Sequence, residues 1–419
     1  MNLNMKIPID QVPGAVFIIP VLLVAVFLPV DSFSQNGFVT TNGKEIVAPN
    51  GKPILLKGIN LGNWLEPEGY MFKFEKANSP RLIYEMFDEL IGPDESSEFW
   101  NAYRASYITR GDLEFIREAG FNSVRIPFDY RLFVREEDPV EFDSVGFRLL
   151  DSAVTWCGET GLWAVLDMHC APGGQTGDNI DDSYGYPFLI ESEKSRNLTV
   201  KLWKKIAERY SANPAVLGYD LLNEPIAPYF DVDKLNPFLE PLYKKITAAI
   251  REVDRNHIVI LGGAQWDSNF KIFGKPFDSL LVYTFHKYWS DTTREVIQEY
   301  IDFRNKFDVP IWLGESGENK FAWIKSFREL LEGNDIGWCF WPYKKLDSKS
   351  CIASIKMTKE YESLMRFAES DRSNFEKIRK NRPETGVVHK ALNDYLKNIA
   401  LANCEINSLY LDALGINTR

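Results

Sequence analysis

The chain has 419 residues, of which 45% are hydrophobic, 14% aromatic and 26% charged, a composition with enough apolar material for a sizeable core and too much for disorder. A net charge of -11 argues against nucleic acid or an anionic membrane surface as a partner, and is neutral toward uncharged ligands. The five cysteines, at 157, 170, 339, 351 and 404, have no motif spacing, and none of the four histidines (169, 257, 286, 389) lies at metal-ligand spacing from another ligand. No disulfide framework, metal or cofactor is therefore expected, and the chain is expected to be a monomer.

Residues 1–34 read as a signal peptide. Lys6 precedes the uncharged run "AVFIIPVLLVAVFLPV" from Ala15 to Val30, and Ser32 and Ser34 supply small residues for a cut near position 34. The run is short for a bilayer span of about 20 residues, and Pro20 and Pro29 weaken it as a helix. No later stretch is long and apolar enough to cross a membrane. The expected address is the periplasm or the exterior, with no stable membrane span once the leader is removed.

From about Asn36 one grammar repeats: a short apolar β-rich run, polar residues, then an amphipathic helix. The runs are "ILLKGINL" (54–61), "FNSVRIPF" (121–128), "LWAVLDMH" (162–169), "AVLGYDLLNE" (215–224), "HIVILGG" (257–263), "SLLVYTFH" (279–286), "VPIWLGES" (309–316) and "DIGWCFWPY" (335–343). Helical patterns such as "DLEFIREAG" (112–120), "LTVKLWKKIAERY" (198–210) and "FLEPLYKKITAAIREV" (238–253) lie between them. Eight strands apolar on both faces, alternating with helices, predict a (β/α)8 TIM barrel as a single domain over 35–400. An open doubly wound sheet is the alternative, but "GINLGNW" after the first strand lacks the G-x-G-x-x-G phosphate loop. The tail 401–419 fits no barrel element.

In this fold the reacting groups stand at the C-terminal ends of the strands. Read in chain order, those ends offer Asn60 and Asn63, Arg125, Asp167 and His169, Asn223 and Glu224, Trp266, His286 and Tyr288, Glu315, and Trp341. Glu224 precedes Pro225, which predicts extended backbone at a strand end. Glu224 and Glu315 come from strands four and seven, on opposite sides of the ring. Two carboxyl groups with separated pKa values can cleave an acetal, one protonating the departing oxygen and the other meeting the oxocarbenium-like carbon. Asn223 would hold a neighbouring hydroxyl without adding charge. The approach of Glu315 would keep Glu224 protonated, while Arg125 would keep Glu315 ionised and Tyr288 would orient it.

The ordered pieces "GINLGNWLE" (58–66), "FNSVRIPF", "DMHCAPGGQ" (167–175), "LLNEP" (221–225), "HKY" (286–288), "GES" (314–316) and "GWCFWPYK" (337–344) resemble glycoside hydrolase family 5, the retaining barrel glycosidases. "NLGNWL", the "DMHCAPGGQ" loop and "YITRGDLEFIREAGFNSVRIPF" (107–128) look most like its exo-β-1,3-glucanase branch. The resemblance implies double displacement on β-glucan-type polysaccharides or oligosaccharides, with Glu224 as acid/base and Glu315 as nucleophile. It also implies Arg125, His169, Asn223, His286, Tyr288 and Trp341 as their supporting shell, with Trp341 a platform for the sugar. Trp64, Glu66, Tyr184, Tyr186 and Trp266 are candidates for further subsites. The segment "WLEPEGYMF" (64–72) departs from that branch, leaving Glu66 and Glu68 without a clear role, and the loop "TGDNIDDSYGYPFL" (176–189) is long enough to wall off part of a cleft. Other plant polysaccharides (mannan, xyloglucan, arabinoxylan side chains) would suit the same chemistry.

Two other classes compete. Gly314-Glu315-Ser316-Gly317-Glu318 approaches the G-x-S-x-G elbow of serine hydrolases, but Glu318 replaces the second glycine and the only later histidine is His389. A sugar-binding barrel without catalysis would not need both carboxylates and their shell.

Overall fold

The computed structural model describes residues 37–135 and 141–416; the expected signal peptide lies outside the described residues. The barrel strands are β1 (Lys57–Asn60), β2 (Ser123–Asp129), β3 (Trp163–Cys170), β4 (Val216–Asp220), β5 (Ile258–Gly262), β6 (Leu281–His286), β7 (Ile311–Glu315) and β8 (Gly337–Phe340). They pair in parallel in sequence order, and β8 closes on β1 through Trp338–Lys57, Cys339–Gly58 and Phe340–Ile59. This is the (β/α)8 barrel the alternating runs predict.

Most strands are shorter than their apolar runs, most clearly β4, whereas β3 equals its run in length and is displaced by one residue. The β4 ladder ends at Asp220, yet Leu221 N–H still donates to Ile260 O (3.2 Å) and Asn223 N–H to Met168 O (3.2 Å). The segment carrying Asn223 is thus pinned between β3 and β5 although it has left the regular sheet.

Alternation along the strands sorts the barrel interior into layers. On β3, Trp163 and Val165 belong to an apolar cluster with Leu217, Ile258, Ile260, Val282, Trp312 and Cys339. Two and four residues further on, Asp167 and His169 are buried in a polar layer above it. Burying that layer is costly unless its charges are paired, so its partners matter.

Outside the sheet the helices obey the stops and starts legible in the sequence. Arg110–Ala119 opens with a reciprocal capping box between Thr109 and Asp112 and stops at Gly120, whose φ of 115° suits a residue without Cβ. The helix expected over 198–210 begins earlier, at Glu193, because Ser192 accepts a hydrogen bond from Ser195 N–H and caps it.

The C-terminal tail is part of the folded unit. Glu405–Ile406 pairs antiparallel with Ala353–Ile355, which in turn pairs with Lys344–Leu346. The helix Ser408–Ala413 packs on Phe321–Glu332 and buries Tyr410 and Leu411. Lys344, wholly buried after β8, pairs with Asp112 (2.5 Å) and donates to Tyr107 O and Ile399 O, tying this end of the chain to the barrel. All five cysteines are unpaired, and no helix among the described residues is long and apolar enough to cross a membrane.

Candidate active site

A cleft of about 630 Å³ opens at the C-terminal end of the strands. Its base is organised by Arg125 at the middle of β2. The guanidinium has no solvent exposure and reaches Asp220 Oδ2 (2.8 Å), Asp167 Oδ1 (3.1 Å), Glu315 Oε1 (2.5 Å), Asn60 Oδ1 (3.1 Å) and Asn223 Oδ1 (2.8 Å). Burial alone would disfavour its charge, but Asp167, Asp220 and Glu315 outweigh that and hold it firmly protonated. One rigid fork therefore sets the positions of groups from β1, β3, β4 and β7.

Glu315, the last residue of β7, accepts from Arg125 on Oε1 and from the Tyr288 hydroxyl on Oε2 (3.0 Å). Both oxygens are thereby held as acceptors. Facing it, Glu224 has a side chain 14% exposed, with Oε1 at 2.9 Å from His286 Nδ1. An oxygen of Glu224 and one of Glu315 lie within 4.8 Å of each other, with His286 inside the same sphere.

Burial raises the Glu224 carboxyl from 4.5 to about 7, opposed by His169 and Arg125. The sequence reading attributed this protonation to Glu315; the dominant cause is desolvation. Burial likewise lowers His286 to about 3 and His169 to about 4, so both imidazoles are neutral near pH 7. His169 Nδ1 meets Asp167 Oδ2 (2.8 Å), and its Nε2 stands 3.3 Å from Asn223 Nδ2.

The expected extended backbone at Glu224 is not found. Its φ is 46°, and Ile226 on the other side of Pro225 has φ 57°. Such angles are uncommon for residues with a Cβ and persist where the surroundings over-determine them. Here Glu224 N–H donates to Asp267 Oδ2 (3.2 Å), and Ile226 N–H donates to Gln175 O (2.8 Å). The Gln175 amide also donates to Asn223 O (2.9 Å) and His169 O (2.6 Å). The "DMHCAPGGQ" and "LLNEP" segments are thus one clamp around Glu224.

The structure brings together Arg125, His169, Asn223, Glu224, His286, Tyr288, Glu315 and Trp341, and all but Arg125 line the cleft. Trp341 is only 2% exposed and lies nearly parallel to His169 (5.6 Å, 16°), so it contributes a narrow strip of floor rather than an open platform. Trp266 lines the cleft, 40% exposed, in a run of three left-handed residues from Gln265 to Asp267.

Four of the further subsite candidates do not line it. Trp64 is core, its indole N–H spent on Arg104 O (2.8 Å). Tyr184 is exposed under the Arg81 guanidinium (4.7 Å), and Tyr186 packs edge-on against Phe230. Glu66 is buried behind Glu68 with Oε1 accepting from Asn63 N–H (2.8 Å). Ser316, the serine of the near-elbow, is fully buried and not among the lining residues.

Sequence reasoning missed Tyr70, Gln265, Asp267 and Trp289, and gave Glu68 no role. Trp289 could have been noticed beside Tyr288, as could Asp267 beside Trp266. Glu68 and Tyr70 had no local signal, because only folding of the segment after β1 brings them to the cleft.

Comparisons with known proteins identify the family. The family model "Cellulase (glycosyl hydrolase family 5)" matches residues 89–347. A β-xylosidase of Phanerodontia chrysosporium is 26% identical over 75% of this chain and 72% of its own length. Endoglucanase C of Acetivibrio thermocellus is 27% identical over 69% of this chain and 91% of its own. A glucan 1,3-beta-glucosidase of Candida oleophila is 28% identical over 58% and 61%. Among solved structures, an endogalactoceramidase superposes with a TM-score of 0.55 at 20% identity, covering 74% of this chain and 75% of that one, a likeness of fold. With a matching model that spans more than half of the chain, over a closed eight-stranded barrel, this protein belongs to glycoside hydrolase family 5 and is a retaining glycosidase of that family.

Proposed function

We propose that the enzyme cleaves β-glycosidic bonds of β-glucan-type oligosaccharides or polysaccharides by double displacement, with Glu224 as acid/base and Glu315 as nucleophile. The observation that carries the assignment is the pair itself. Two carboxyl oxygens lie within 4.8 Å, one belonging to an acid raised to about 7 and the other to a carboxylate held by Arg125 and Tyr288. Retaining enzymes space their carboxyl groups about 5–5.5 Å apart, too close for a water to stand between carboxylate and sugar.

Glu315 attacks the anomeric carbon, forming the C1–O bond as Glu224 passes its proton to the departing oxygen. A water then enters where the leaving group was. Glu224, now anionic, takes its proton, and the hydroxide equivalent displaces Glu315 from the sugar. Asn223, from the pinned segment beside Glu224, is positioned to hold a sugar hydroxyl, and neutral His286 keeps Glu224 aimed.

The strand-three loop bears on where along a chain the enzyme cuts. Asp178, Asn179 and Ile180 line the cleft, and Asp181 secures the loop by accepting from the N–H groups of Thr176 (2.6 Å), Gly177 (2.9 Å) and Ser183 (3.1 Å). A wall so fastened favours short oligosaccharides or chain ends. Export by the N-terminal segment would place the enzyme where such polymers occur.

An activated 2-deoxy-2-fluoro-β-glucoside tests the roles directly. It should inactivate the enzyme and leave its sugar on Glu315 when the peptides are mapped by mass spectrometry; a label on any other residue overturns the assignment. Reducing-end release from laminarin, cellulose, mannan and xyloglucan identifies the linkage.

A further inference from the structure

Beside the acid lies a buried carboxyl that the double displacement leaves unused. Asp267 stands in left-handed backbone (φ 56°) after β5, and its carboxyl fills the space that a Cβ on Gly262 would take. The residue has no solvent exposure, and among the described residues no Lys or Arg is paired with it. Its Oδ2 accepts Glu224 N–H (3.2 Å) and stands 3.3 Å from His286 Nε2. Asp267 Oδ1 and His286 Nε2 are both buried without a hydrogen-bond partner. At its other nitrogen, Nδ1, the same imidazole is 2.9 Å from Glu224 Oε1. Asp267 thus reaches the acid twice, through its backbone and through His286.

What this triangle does depends on where its protons sit. A neutral imidazole carries one N–H, and the group facing one nitrogen decides which of the two holds it. His286 is neutral because burial lowers it to about 3. Burial also pushes the Asp267 carboxyl well above the usual carboxylate range, with repulsion from Asp220 and Glu224 adding to it. A carboxyl kept neutral in this way can donate a hydrogen bond. Were the imidazole N–H on Nε2, the bare Nδ1 would draw the Glu224 proton onto Oε1, into a bond within the protein. With the N–H on Nδ1, Oε1 is occupied as an acceptor and Oε2 is left to carry the proton. A second donor competes for Nε2: a Cβ on Gly314 would meet both His286 Nε2 (2.9 Å) and the hydroxyl of Thr284, which is buried and also without a partner.

We propose that Asp267 is a positioning residue for the acid step: its carboxyl O–H donates to His286 Nε2, which fixes the imidazole as the Nδ1–H tautomer and so keeps the Glu224 proton on Oε2, for the departing oxygen. The inference rests on the assignment of Glu224 as acid/base. When Oε2 gives its proton to the leaving group, the carboxylate formed still accepts from Nδ1–H on Oε1, and the water of the second step returns a proton to Oε2. His286 and Asp267 neither gain nor lose a proton in the cycle. One tautomer therefore serves both steps, which the Nε2–H form, with a lone pair facing the Glu224 anion, would not.

The test reads the tautomer directly. In protein labelled with 15N-histidine, long-range proton–nitrogen correlation spectra at pH 7 distinguish Nδ1–H from Nε2–H, and the spectrum of His286→Asn identifies which signals belong to His286. Wild type should show the Nδ1–H form, Asp267→Ala should lose it in favour of Nε2–H or a mixture, and Thr284→Val should keep it. An Nε2–H form in wild type overturns the proposal, and so does an Asp267→Ala spectrum that still shows Nδ1–H. Loss of the form in Thr284→Val alone overturns it in favour of the threonine as donor. Kinetics give a second readout that a merely structural role would not move. Asp267→Ala should lower kcat/KM about tenfold or more on methyl β-glucoside, whose departing oxygen needs the proton, and by less than about threefold on 2,4-dinitrophenyl β-glucoside, whose departing oxygen does not. Equal losses on the two substrates would mean that Asp267 only supports the fold, and the proposal falls. Should wild type cleave no glycoside at all, the catalytic reading fails by itself, and the wild-type and Asp267→Ala spectra still decide whether Asp267 sets the tautomer.

Discussion

Replacing Glu224 by Gln keeps the side chain's shape and removes its ionisation, and the structure sets the size and pH range of the consequence. Burial raises the carboxyl from 4.5 to about 7, and its side chain is 14% exposed. A group whose pKa is higher in the folded than in the unfolded state contributes its full stability below the unfolded value and loses it as pH rises through the folded value. For Glu224 that window runs from 4.5 to about 7. At about 1.36 kcal/mol per pH unit, ionising it in place costs about 3 kcal/mol at most above the window. Glu224→Gln avoids that cost, so the variant's advantage over wild type should be small at pH 4.5 and should grow to about 2–3 kcal/mol at pH 8. Urea denaturation of both proteins at the two pH values measures it. The same ionisation governs the rate. Wild-type kcat/KM should fall about tenfold per pH unit above about 7, as the acid loses its proton. An equal stability difference at both pH values would refute the reasoning, since Glu224 would then not be titrating between them.

Arg125→Ala leaves Asp167, Asp220 and Glu315 buried without their cation and should cost about 3–5 kcal/mol in urea denaturation, along with nearly all activity. Ser316→Ala should leave kcat/KM within about twofold of wild type, and a phosphonate ester should not inactivate the enzyme, as judged by residual hydrolysis after incubation; a serine nucleophile needs access that a buried side chain lacks. Tyr410→Ala removes a buried ring whose hydroxyl donates to Trp341 O (3.3 Å), and should destabilise the protein by about 3 kcal/mol, read as a lowered Tm.

The fold was legible because a barrel is written locally. Runs such as "LWAVLDMH" and "VPIWLGES" are apolar on both faces, and caps such as Thr109 and Gly120 bound the helices between them, so eight strand–helix units could be counted without knowing a single contact. The ring of Arg125, His169, Glu224 and Glu315 followed from the same logic, since strand ends converge in any closed barrel. What sequence position could not decide was which neighbours fill the gaps. Trp64 and Trp266 are both aromatics just past a strand end, yet one is sealed in the core by Arg104 O and the other lines the cleft, a difference made by helices and loops distant in sequence. The left-handed backbone at Glu224 depends on Asp267 and Gln175, 43 and 49 residues away, which override the local preference of a residue before proline. Strand order and the two carboxylates were therefore determined by local pattern, whereas burial, and with it the proton on Glu224 and the unpaired oxygens of Glu66 and Glu68, arises only when many segments exclude water together.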